Sequence, residues 1–189
     1  MEVRVEQLCK SYRGVPVLKG VTFTAGRGVT CVMAPSGAGK TTLLRILLGL
    51  ERPDSGSVSL PRGCRVSAVF QEDRLLEQLD AEGNLRFVLG GDFDAGAART
   101  LLARLGLEET GKPVREYSGG MKRRLALARA LLVPANVLVL DEPFTGLDGE
   151  NRARALACIR EAAGEKCVLL VTHEAADAEA LGAEVLWLE

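Results

Sequence analysis

Residues 28–48 read GVTCVMAPSGAGKTTLLRILL, and the parsing of that stretch decides the fold. Val29, Thr30, Cys31, Val32 and Met33 form a short apolar, β-branched run of the length expected for a buried parallel strand. Residues 34–39 then break any regular element, because Gly and Pro punctuate them. Lys40-Thr41-Thr42 follows, and Leu43, Leu44, Ile46, Leu47 and Leu48 are spaced as the apolar side of a helix. Strand, Gly-rich loop, Lys-Thr and helix, in that order, is the context that a phosphate-binding P-loop requires.

The residue types suit that chemistry. Backbone N–H groups of such a loop, continuing into the first helical turn, can converge on polyphosphate oxygens. Gly37 and Gly39 lack a Cβ, so the backbone can curl and come close. Lys40 supplies a point charge for the β- and γ-phosphates, and the Thr41 hydroxyl is placed for Mg²⁺. The bland alternative, a Gly-rich turn before a core helix, leaves the Lys-Thr pair without a purpose. One departure stands out: the general pattern GxxxxGK[ST] opens on Gly, and here that position is Ala34. Ala follows a strand without strain if its φ stays negative, so nucleotide binding is expected to survive.

Outward from this stretch, the chain has 189 residues with 24 basic against 25 acidic side chains and is 47% hydrophobic. That predicts one globular domain with a substantial core. The balanced charge argues against a general nucleic-acid binder, which would carry a basic excess. The five cysteines, Cys9, Cys31, Cys64, Cys158 and Cys167, show no metal-ligand or redox-motif spacing, and read as buried free thiols in a reducing compartment. Met1-Glu2-Val3-Arg4-Val5 carries charges where a signal peptide needs an apolar run, and no segment reaches a membrane-spanning length. The expectation is a cytoplasmic chain that would need another chain to reach across a membrane.

Before the P-loop strand, Val3 and Val5 alternate with charged residues, Tyr12-Arg13-Gly14 reads as a turn, and Val17, Leu18, Val21 and Phe23 mark a second β segment. These strands predict an antiparallel layer. After it come a loop over 53–57 and short strands over 58–60 and 66–70. The β character then vanishes as far as Arg115. Leucine clusters at 75–79, 85–89 and 101–107 suggest short helices, and the predicted helical subdomain spans 72–133 within a single domain covering 1–189. Ser118-Gly119-Gly120 opens a strong helix that Pro134 ends. Val137-Leu138-Val139-Leu140 is a buried strand ending in Asp141-Glu142, and 167–171 is another, ending in Thr172-His173-Glu174. A helix over 150–163, a helix through Ala180 and a strand over 184–188 complete the chain. Alternating buried strands and helices predict an α/β fold with a mostly parallel sheet, its ligands at the strand C-terminal ends.

That sheet edge gathers further chemistry. Asp141 can orient a Mg²⁺ shell while Glu142 polarises an attacking water; the alternative for the pair is an acidic helix-capping turn. His173, the single histidine, sits just past a buried strand, within reach of a γ-phosphate, although a lone His is commonly structural. Gln71 ends a strand too, and its amide can touch both the metal shell and the lytic water. Ser118-Gly119-Gly120 at a helix N-terminus makes a second anion site. Lys122, Arg123, Arg124 and Arg129 add positive charge nearby, most of it read as a solvated helix face.

Taken in order, these pieces resemble the nucleotide-binding subunits of ATP-binding cassette (ABC) transporters, over essentially the whole chain. Residues 34–42, including Ser36 and Ala38, match the family's Walker A loop and Gln71 its Q-loop. Tyr117-Ser118-Gly119-Gly120-Met121 matches its signature, with Tyr and Met in place of the usual Leu and Gln. Residues 137–142 match its Walker B, Thr145-Gly146-Leu147-Asp148 its D-loop, and His173 its switch histidine. The wording around Gln71 and Ser118 is similar to that of bacterial nitrate, sulfonate and taurine importers. The resemblance implies that Tyr12 stacks the adenine of ATP and that Asp148 belongs to the nucleotide site. It also implies that the signature completes the ATP site of a second subunit in a nucleotide-sandwich homodimer, and that the pair drives a membrane permease from the inner face of the membrane. The rival expectation is a non-transport ABC ATPase associated with nucleic acid or translation, though such proteins usually carry long coiled-coil insertions or tandem cassettes. A weaker one is a module that binds ATP without turnover.

Overall fold

A computed structural model describes residues 2–35, 37–108 and 111–188; Ser36 lies outside the described residues. The chain opens with β1 (Val3–Tyr12) and β2 (Val15–Ala25), an antiparallel pair closed where Tyr12 faces Val15. Arg13 and Gly14, the two residues of the turn, both have positive φ, the geometry that matches the twist of a two-residue hairpin. The P-loop strand is β3 (Gly28–Met33), and α1 (Lys40–Leu47) follows its loop. Then come β4 (Ser55–Ser59), β5 (Val66–Val69), α2 (Ala81–Leu89), α3 (Ala95–Arg104) and α4 (Gly119–Leu132). The last third alternates: β6 (Val137–Asp141), α5 (Gly149–Ala163), β7 (Cys167–Val171), α6 (Ala175–Ala180) and β8 (Glu184–Trp187).

Two sheets result. One is antiparallel with order β2-β1-β4, and the other is parallel with order β5-β6-β7-β3-β8. Strands β6 and β7 are buried along their whole length, as near-continuous apolar runs should be in a sheet covered on both faces. Their side chains alternate between two cores. Leu138, Leu140, Val168 and Leu170 face the core shared with α2 to α5. Val137, Val139, Leu169 and Val171 face the core shared with α1 and the antiparallel layer. Each such leucine, fully buried, is worth roughly 1.5–3 kcal/mol relative to exposure. The free thiols of Cys31, Cys158 and Cys167 are buried here, and desolvation pushes those of Cys31 and Cys167 up to about 11. Among the described residues, no helix is long and apolar enough to cross a membrane.

Two local expectations are overturned. The segment Ser55-Gly56-Ser57, read as loop, is the start of β4. Ser57 pairs with Glu6 and Ser55 with Cys9 around a bulge in β1, where Gln7 has φ 46°. A side chain on Gly56 would lie 2.2 Å from the Gln7 carbonyl, so glycine here admits a strand rather than breaking one. The leucines of 75–79 form no helix; α2 starts only at Ala81, capped by the Asp80 carboxylate on Gly83 N–H. Asn84 explains the difference. Buried to 2% exposure, it accepts from Leu76 N–H and donates to the carbonyls of Leu76 and Asp80, while Arg115 and Val114 N–H take the carbonyls of Glu77 and Leu79.

Candidate active site

The parallel strands β3, β5, β6 and β7 end at one edge, and a cleft of about 430 Å³ opens there. Tyr12, Val17, Gly37, Gly39, Lys40, Thr41, Thr42, Gln71, Asp141 and Glu142 line it. All of these except Val17 are candidates from the sequence, drawn from four separate stretches of the chain.

Gly39 is the tightest point of the loop. It has φ 88°, and a Cβ there would stand 2.8 Å from side-chain atoms of both Val17 and Leu18 on β2. Gly37 also has positive φ, 82°, but a Cβ would meet nothing within 4 Å. The antiparallel layer therefore dictates glycine at one position, and backbone twist at the other. Ala38 N–H donates to the Pro35 carbonyl at 3.2 Å, which closes the loop's own turn. Lys40 Nζ donates to the carbonyls of Ala34 at 2.6 Å and Pro35 at 3.1 Å, so its charge is drawn over the loop. Ala34 itself packs against the core beneath the cleft, outside the positive-φ positions.

Asp141 ends β6 and is buried. Desolvation raises its carboxyl above the usual range and Glu142 raises it further, while Arg123, Lys40 and a hydrogen bond from Thr41 pull it down. Thr41, Gln71 and Asp141 bring hydroxyl, amide and carboxylate oxygens to one cleft. Among the described residues, no cluster of three or more His, Cys, Asp or Glu could hold a metal alone. That donor set suits Mg²⁺, which takes one or two protein oxygens and completes its shell with phosphate and water.

Glu142 takes φ 49°, uncommon for a residue with a side chain, and its N–H donates to the Val171 carbonyl of β7. His173 Nδ1 lies 2.9 Å from Glu142 Oε2. The carboxylate accepts, so Nδ1 carries the hydrogen. That bond and the charge of Glu142 raise the His173 pKa above the ordinary value. The imidazole is 66% exposed, and its Nε2 lies 3.5 Å from Glu174 Oε1. Behind it, Thr172 Oγ1 donates to the buried Asp177 on α6, and Arg152 on α5 donates to the same carboxylate at 2.8 Å. Sequence reading missed this support, because Asp177 and Arg152 lie in helices with no motif to mark them.

The basic residues of α4 are a correction. Arg123 and Arg124 are buried, at 6% and 8% exposure, and are not a solvated face. Arg124 donates to the carbonyls of Leu105 and Gly106, and Arg123 and Arg129 to carbonyls of residues 70–74. Burial of a guanidinium is tolerated because each fork finds carbonyl oxygens. Lys122 pairs with Glu77 at 2.8 Å.

Ser118, Gly119, Gly120 and Asp148 stand apart from the residues lining the cleft. Ser118 and Gly119 are exposed, and Ser118 Oγ accepts from Met121 N–H as the N-cap of α4. Gly120 backs onto the turn before α5, where a Cβ would sit 3.1 Å from the Gly146 carbonyl. Asp148 caps α5, accepting from Asn151 N–H at 2.9 Å.

Comparison with known proteins agrees with this architecture. A family model described as ABC transporter matches residues 18–145. A "Thiamine import ATP-binding protein ThiQ" from Mesorhizobium japonicum is 37% identical, over 99% of this chain and 80% of that protein. An "Aliphatic sulfonates import ATP-binding protein SsuB 2" from Pseudomonas syringae pv. tomato is 35% identical, over 98% of this chain and 81% of that protein. A solved "Structure of ATP binding subunit of ABC transporter" superposes with a TM-score of 0.88 at 26% identity, covering all of this chain and 86% of that one. The fold, the order of its motifs and relatives matched along nearly its full length lead to one statement: this chain belongs to the ATP-binding subunits of ABC transporters, the ATPases that hydrolyse ATP to drive transport.

Proposed function

We propose that the chain is the ATPase of an importer, holding ATP with Mg²⁺ in the cleft of residues 12, 37–42, 71, 141 and 142. The contact between His173 and Glu142 carries the hydrolytic part of this reading. Glu142 commits one carboxylate oxygen to His173 and keeps the other for a water proton, as a general base requires. His173 fixes the orientation of that carboxylate. Lys40 draws charge off the transferred phosphoryl oxygens, and Tyr12 offers a ring for the adenine. Thr41, Gln71 and Asp141 hold the Mg²⁺, which when bound neutralises phosphate charge. Ser118, Gly119, Gly120 and Asp148 act on the ATP of a second copy, giving a head-to-tail pair. The exposure of Ser118 and Gly119 supports that reading.

Import rests on the two relatives named above, both called import proteins. The permease docks beside the helical segment, taken as residues 72–133 of the single domain 1–189. Phe87 and Val88 on α2 are exposed at 70% and 47%, and Leu76 and Leu79 are partly exposed next to them. Leu75 packs into the core and takes no part. Apolar anchors of this kind suit an amphipathic partner helix. The test is coexpression with the permease of single-cysteine variants across 72–88, in a background without native cysteines. Crosslinks to the permease from Phe87 and its neighbours are expected. Crosslinks confined to the antiparallel layer would move the docking face, and stable copurification with a ribosome or DNA complex in place of a membrane protein would favour the non-transport alternative.

A further inference from the structure

Residues 70–74, between β5 and the helical segment, owe their position to α4. Arg123 donates to the Phe70 carbonyl at 2.6 Å and the Gln71 carbonyl at 2.5 Å, and stands 3.2 Å from Asp73 Oδ1. Arg129 donates to the Arg74 carbonyl at 2.7 Å and the Asp73 carbonyl at 2.9 Å. Four carbonyls of a five-residue stretch are thus held by two side chains of one helix. Arg74, at φ 47°, closes the stretch in a conformation that costs roughly 1–2 kcal/mol and needs outside support. The planar fork matters: a guanidinium spans two carbonyls and sets their direction, whereas an ammonium is a point charge. Gln71 meanwhile lines the cleft with its own carbonyl in the fork of Arg123. The same helix begins at the exposed Ser118 turn.

We propose that Arg123 and Arg129 are positioning residues: their forks lock the backbone of residues 70–74 to α4 and thereby set the place of Gln71 at the cleft. The proposal rests on the reading of Gln71 as a cleft group for ATP and Mg²⁺. Neither arginine touches the nucleotide. Their effect on turnover passes through Gln71, and their effect on the backbone through the carbonyls they hold.

Two measurements on the purified full chain test it, with Arg123→Lys and Arg129→Lys as variants that keep charge and most of the volume. Thermal melts first establish that each variant is folded. Steady-state phosphate release is expected to show kcat lowered about tenfold with KM for ATP within about twofold, the signature of a lost transition-state arrangement. In a Gln71→Ala background the lysine substitutions should add almost nothing, as coupled residues do in a double-mutant cycle. Hydrogen exchange supplies the readout independent of turnover. On addition of ATP and Mg²⁺, amides of 71–75 and of 119–123 should gain protection together in the unmodified chain, and only those of 119–123 in the lysine variants. Should Gln71→Ala alone leave kcat unchanged, the cleft role of Gln71 fails and exchange by itself decides the coupling. Unchanged kcat in both lysine variants with Gln71 active, additive losses, or joint protection that persists would each overturn the proposal.

Discussion

Glu142 and Gly39 show how much of this site depends on single positions. Glu142→Gln keeps the shape of the side chain but removes the base. Turnover is expected to fall at least about a hundredfold, at the strong end of the range for a lost acid–base group. ATP binding should be retained, as measured by phosphate release beside equilibrium binding. His173 is the single histidine, so its ring protons give an isolated NMR titration. Its midpoint should lie above the ordinary value of about 6.5 and fall when Glu142 becomes Gln. Because the folded pKa is the raised one, the stability from this pair is fully present below about pH 6.5 and fades as pH rises through the folded value. A melting difference between the native chain and His173→Ala that grew with rising pH would contradict this. At Gly39 and Gly37 the sequence says only that the backbone must curl; packing separates the two. Gly37→Ala should cost about 1–2 kcal/mol for its φ alone. Gly39→Ala adds the clash with Val17 and Leu18 and should cost more, about 2–4 kcal/mol in urea unfolding.

At the level of elements, the strands were legible because buried parallel strands are written as unbroken apolar runs, and the cleft because its residues sit at the ends of those runs. The stretch 70–80 was not. Its leucines suggest a helix, but its polar groups are claimed by side chains outside it, Arg123 and Arg129 far along the chain and Asn84 just beyond its end. No periodicity within the stretch can reveal partners outside it. The arginines of α4 were misread for the same reason, since a basic helix face and a set of carbonyl clamps look alike in one dimension. Asn84→Ala tests the weight of such a bond set. It leaves the Leu76 N–H without its partner and takes one of two donors from the carbonyls of Leu76 and Asp80, and should destabilise the chain by about 1–3 kcal/mol. A shift of the urea midpoint equivalent to under about 0.5 kcal/mol, the scale of ordinary surface changes, would show that the segment is held otherwise.

For the molecule as a whole, the separation of the Ser118 turn from the cleft implies two different failures. Ser118→Arg should leave ATP binding to the single chain intact and prevent pairing, read as the loss of an ATP-dependent doubling of mass on sizing in the Glu142→Gln background. Lys40→Ala should weaken ATP binding itself. If Ser118→Arg abolishes binding as fully as Lys40→Ala, the turn serves its own cleft. The strand order has a further consequence, for the order of events at the ribosome. The P-loop strand β3 lies between β7 and β8, both made more than a hundred residues later. The phosphate loop therefore hangs from a strand with neither edge paired while residues 34–166 are translated. Such non-local pairing is slow to form and exposed to aggregation until it does. The nascent chain must keep an apolar strand out of trouble until β7 and β8 are made, and only then does it acquire a competent nucleotide cradle.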